Sequence, residues 1–86
     1  MNNHPNPEKE SVSEKIETLT QEMQDLYRQR DMCLERKKEL MASEDPARGI
    51  FFHQEIHNMQ MEYLRLEVEA DTKRRQINRL HWGYEY

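Results

Sequence analysis

Apolar residues along this chain fall into two runs that share one rhythm. In the first they stand at Val12, Ile16, Leu19, Met23, Leu26, Cys33 and Leu40, in steps that alternate between four and three. Such steps set every member on one stripe of an α-helix with a seven-residue repeat, the pattern of a helix that packs lengthwise against another. Arg30 and Lys37 fill the two positions at which the stripe skips. The second run repeats the rhythm at Phe52, Ile56, Met59, Tyr63, Leu66, Ala70, Ile77 and Leu80 and reaches Tyr84, with Lys73 as its one interruption. Long basic side chains lay their stems on apolar surface and keep their charge in water. Arg30 is therefore expected near Met59 or Tyr63, reaching to the edge of the seam.

Breaks in the pattern give the layout. Residues 9–43 and 50–82 contain neither Gly nor Pro, and "SEDPARG" (residues 43–49) is the only interruption between them. Asp45 is a good N-cap, and Pro46 suits the first helical position, where no amide hydrogen is needed; Ser43 is an equally good capping residue. Gly49 weakens the first turn, so that regular helix is expected only from Ile50. The expected architecture is all-α: a leader over residues 1–8, helix 1 over about 9–43, a turn at 43–49, helix 2 over about 46–82, and an aromatic tail at 83–86. Helices of matched length joined by a short turn form an antiparallel, coiled-coil-like hairpin. A tight turn implies facing positions whose numbers sum to about 89. That sets Leu26 near Tyr63, Met23 near Leu66, Cys33 near Ile56 and Val12 near Ile77, with a displacement of one heptad layer as the alternative.

Charge supports the same orientation independently. Net charge is −4 over residues 8–25, +2 over 26–42, −5 over 43–71 and +3 over 72–86. Folding the chain back on itself sets acidic against basic at both ends, whereas parallel pairing would set like against like.

The seam leaves apolar residues over. Helix 1 carries a second row at Tyr27, Leu34 and Met41, spaced by seven, and helix 2 an outer row at Ile50, His57, Met61, Leu64 and Val68. Of the 86 residues, 35% are apolar and 35% charged, too polar and too short a chain to bury a large core alone. The second rows are expected to be a partner surface, most simply one that joins two hairpins into a homodimeric four-helix bundle or docks on another protein's helices. Methionine on or beside the apolar rows suits a surface that adapts to its partner and, equally, a forgiving core.

Candidate chemistry is sparse. In "HQEIHNMQMEY" His53 and His57 share a helix face, but Glu55 stands one position too late for the H-E-x-x-H zinc motif, and Ile56 breaks the inverted one. His4 and His81 lie far off in sequence, so no metal is expected. Cys33 reads as a small apolar seam residue, although Arg30 and Arg36 nearby would favour its thiolate and keep a redox role open. Lys73, Arg74, Arg75 and Arg79 form a basic block that could meet nucleic acid, but the net charge of −4 and the acidic stretch expected opposite argue against it. Trp82 and Tyr84 either cap the open end of the hairpin beside Val12 or form a docking peptide. The longest apolar run, "GIFF", is far short of the roughly 20 residues that span a bilayer. One cysteine and no secretory signal point to the cytoplasm. No phosphate loop, catalytic triad or cofactor motif is present. The chain is expected to be a non-enzymatic protein-binding hairpin: an adaptor, small chaperone or inhibitory regulator. Two rivals stand beside it, a nucleic-acid-binding regulator using the basic block, and an inhibitor that inserts its acidic tip, Glu44 and Asp45, into a larger enzyme.

Overall fold

A computed structural model describes residues 11–83; the expected leader and Tyr84 lie outside the described residues. Two long helices, α1 (Val12–Ser43, 32 residues) and α2 (His53–His81, 29 residues), pack against each other as an antiparallel hairpin. At about 1.5 Å per residue they run roughly 48 and 44 Å.

Local chemistry fixes their ends. Ser11 caps α1, its Oγ accepting from the Glu14 amide at 3.1 Å, which satisfies one of the unpaired amides of the first turn. At the far end the Glu44 amide donates to the Met41 carbonyl, and Ser43 Oγ to the Glu39 carbonyl. Ser43 thus closes α1 and does not open α2.

The connection is longer than the sequence suggests. Helix 2 was expected from about residue 46, but α2 begins at His53. Pro46–Arg48 form one turn of 3-10 helix, and Asp45 and Ile50 exchange two backbone hydrogen bonds of 2.9 Å around it. Gly49 closes this turn at φ 73°, a left-handed conformation that costs a residue with a Cβ about 1–2 kcal/mol. Asp45 forms no side-chain cap; its carboxylate pairs with Arg48 at 3.5 Å. The side chain that supports the start of α2 is Glu44, whose Oε2 accepts from the Phe52 amide at 3.0 Å.

The longer connection sets the register. Glu22 with Lys73 and Asp45 with Ile50 sum to 95, Glu44 with Phe52 to 96, and Arg30 with Glu67 and Lys37 with Gln60 to 97. The alignment is therefore one heptad layer away from the 89 expected of a tight turn. Leu26 comes level with Ala70, Cys33 with Tyr63, and Ile16 with Leu80.

The seam residues lie where their spacing puts them. Leu40, Leu66 and Ala70 are buried. Ile16, Leu19, Met23, Leu26, Cys33, Phe52, Ile56, Met59, Tyr63, Ile77 and Leu80 are half-buried. Val12, at the open end, is the exception at 43% exposed. Charge crosses the seam as expected, acidic Glu22 meeting Lys73 at 3.3 Å and Arg30 meeting Glu67 at 3.4 Å.

Candidate interaction face

Arg30 organises one flank of the hairpin. It occupies a seam position opposite fully buried Leu66, yet its guanidinium escapes sideways. There it pairs with Asp31 at 3.0 Å and Glu67 at 3.4 Å, and lies over the rings of Tyr27 (4.7 Å) and Tyr63 (5.7 Å). Planar guanidinium suits both partners, forking toward carboxylates and stacking on ring faces. The Asp31 hydrogen bond leads in holding the Arg30 charge firmly on, raising its pKa above the ordinary arginine value. Tyr63 is one of the neighbours expected from sequence. Beside this cluster runs a shallow groove of about 340 Å³ lined by Tyr27, Arg30, Glu67, Val68, Asp71, Thr72 and Arg75.

The two outer rows differ in depth. Tyr27 and Leu34 are half-buried on the flank of the seam, whereas Met41 is exposed. On α2 the row is open: His57, Met61 (52%), Leu64 (44%) and Val68 (66%) are exposed, whereas Ile50, also exposed, lies before α2 in the connection, bridged to Asp45, and does not belong to the helical row. Met61, Leu64 and Val68 follow one another at steps of three and four, so they form a continuous stripe down the back of α2. Between Tyr27 of the α1 row and Val68 of the α2 row lie the charged groups of Arg30, Glu67, Asp71 and Arg75, which line the groove.

Sequence reasoning missed two exposed apolar residues. Phe51 (48%) stands at the tip, stacked on His53 with ring centroids 5.0 Å apart, and Met32 (66%) lies on α1. Met32 is outside both seven-residue rows, and Phe51 was hidden by assigning the loop to helix 2.

The other candidate sites resolve as follows. His53 is taken up by the Phe51 stack, and His57 is exposed on the outer row. Among the described residues no group of three or more His, Cys, Asp or Glu is placed to hold a metal ion. Burial pushes the Cys33 thiol up, with Glu62 adding to the shift and Arg65 opposing it. Arg30 and Arg36, which could favour the thiolate, are engaged elsewhere. Arg30 is turned to the carboxylates of Asp31 and Glu67, and Arg36 pairs with Glu39. In the basic block Lys73 meets Glu22, while Arg74 and Arg75 both meet Asp71; Arg79 is half-buried. Trp82 ends α2, 74% exposed and edge-on to His81, so it does not cover the open end beside Val12. At the tip, Glu44 and Asp45 are both engaged in building the turn. No helix among the described residues is long and apolar enough to cross a membrane.

Comparison with protein-family models, with curated proteins and with solved structures finds no match.

Proposed function

We propose that this protein is a non-enzymatic interaction module of the cytoplasm, an adaptor, small chaperone or inhibitory regulator, that self-associates and binds protein through the outer face of its hairpin. The observation that carries this reading is the open apolar stripe of Met61, Leu64 and Val68 on a molecule with only three buried apolar residues among those described. A two-helix seam offers little burial, and a second layer of helices over the stripe would supply what is missing. Contiguous exposed apolar surface rimmed by charge is characteristic of interaction sites.

The test is the double variant Met61→Asp/Leu64→Asp. Size-exclusion chromatography with light scattering is expected to give twice the chain mass for the wild type and the chain mass for the variant, with helix content by circular dichroism unchanged. A wild type that stays monomeric at every concentration, or a variant that still dimerises, overturns the reading.

A further inference from the structure

We propose that the three basic residues interrupting the apolar seam are a register lock, which holds the hairpin in one of two alignments that its sequence otherwise permits. The apolar positions of both helices repeat every seven residues, so sliding α2 along α1 by one heptad returns apolar side chains to apolar neighbours: Leu26 would leave Ala70 for Tyr63, and Met23 would gain Leu66. The chain also holds a segment able to absorb that slide. Asp45 and Pro46 carry the chemistry of a helix start, yet α2 begins seven residues later, at His53. Winding residues 46–52 into helix would tighten the turn and produce the alternative alignment. Gly49, now at φ 73°, is the one residue in that segment whose φ must change sign, which glycine does without a steric penalty; Ile50 would leave its bridge with Asp45, and Phe52 would rotate from φ −126° and ψ 43°.

The seam cations distinguish the two alignments. In the observed one each finds an acceptor on the opposite helix: Arg30 on Glu67, Lys37 on Gln60, Lys73 on Glu22. A one-heptad slide replaces each acceptor by the residue seven places earlier. Arg30 would then face Gln60, Lys37 would face His53, and Lys73 would face Lys15. Two carboxylates are lost, and one attraction becomes a repulsion. Sliding the other way sets Arg30 against Arg74. Polar residues at seam positions are known devices for fixing register in coiled coils, and here all three vote for the same alignment. The lock bears on the outer face as well, because a slide moves Leu34 from the level of Glu62, between Met61 and Leu64, to that of Glu55, seven residues nearer the turn.

Spin labels on the full chain read the register directly. With Cys33→Ala as background, labels at Thr18→Cys and Asn58→Cys sit on exposed positions of the two helices. Seven residues correspond to about 10 Å of axial travel, and the slide brings these labels closer by most of that distance. The labelled chain, diluted with unlabelled protein, is expected to give a single separation. Adding Glu22→Lys and Glu67→Lys should bring in a second population, shorter by close to 10 Å. A single unchanged separation in that variant, with helix content retained, overturns the proposal, as do two populations without it. Should the charge-reversed chain unfold, Arg30→Leu/Lys37→Leu/Lys73→Leu decides the matter: its uniformly apolar seam should populate both separations, and one separation alone refutes the lock.

Discussion

At the scale of single residues, burial and not chemical type decides what each apolar side chain contributes. Leu66 is 2% exposed and faces α1, so Leu66→Ala is expected to cost about 2–5 kcal/mol through lost transfer energy and the cavity left behind. Ala70 is 0% exposed; Ala70→Leu would force the helices apart at about 1–3 kcal/mol. Leu64 has the same side chain as Leu66 but points away from the seam. In an isolated hairpin Leu64→Ala would change stability by less than about 0.5 kcal/mol; a larger loss that grows with protein concentration is the signature of a partner seated on the stripe. Urea titration of the three variants at two concentrations separates these outcomes. Both assignments were legible in the sequence, because a two-residue displacement carries a side chain roughly 200° around a helix. The flank positions were less legible: Tyr27 and Leu34 have the same spacing as Met41, yet they are half-buried and Met41 is exposed; Arg30, lying over Tyr27, is itself anchored across the seam by Glu67 and Tyr63, and single-helix spacing contains no information about such cross-seam contacts.

At the scale of elements, the helices were readable and the link between them was not. A stripe of seven-residue period specifies which face of each helix is inward, but it is indifferent to a displacement of one whole period. Register therefore depends on the loop and on the long-range pairing of Arg30, Lys37 and Lys73, neither of which a local pattern encodes. Asp-Pro followed two residues later by Arg-Gly suits a helix start and a 3-10 turn equally well. The left-handed Gly49 is the feature that closes the observed turn, so Gly49→Ala should destabilise the hairpin by about 1–2 kcal/mol, visible as a lower thermal midpoint; nothing lies near enough to obstruct the added Cβ, so the loss is of backbone origin. Along α2, Arg65 holds the Glu62 carboxyl below its usual range, and Arg74 does the same for Asp71. A carboxylate with a lowered folded pKa stabilises at pH values above its unfolded pKa, about 4.3 for Glu and 3.9 for Asp, and that contribution fades as pH falls through the lower folded value. The thermal midpoint is therefore expected to be flat from pH 7 to about 5 and to decline below about 4. The decline should be small and salt-sensitive, since these pairs lie at the surface.

At the scale of the whole molecule, a rod of two helices has no interior beyond its seam. Every contact between the elements joins residues on one ladder, and the sequence separation spanned grows with distance from the turn: 23 residues at Lys37–Gln60, 37 at Arg30–Glu67, 51 at Lys73–Glu22. Closing long loops costs more entropy than closing short ones, so pairing should begin beside the turn and spread outward. Amide hydrogen exchange is expected to show α1 and α2 most protected around Leu40 and Ile56 and least protected around Val12 and Leu80; uniform protection along both helices would contradict this. The same ladder has a mechanical meaning. Val12 and His81 lie at one end of the hairpin, so a load applied across them peels the seam a layer at a time and never shears many layers together. The chain would yield at low force, give way stepwise as Lys73, Arg30 and Lys37 let go in turn, and zip back from the Asp45–Ile50 bridge when the load is removed.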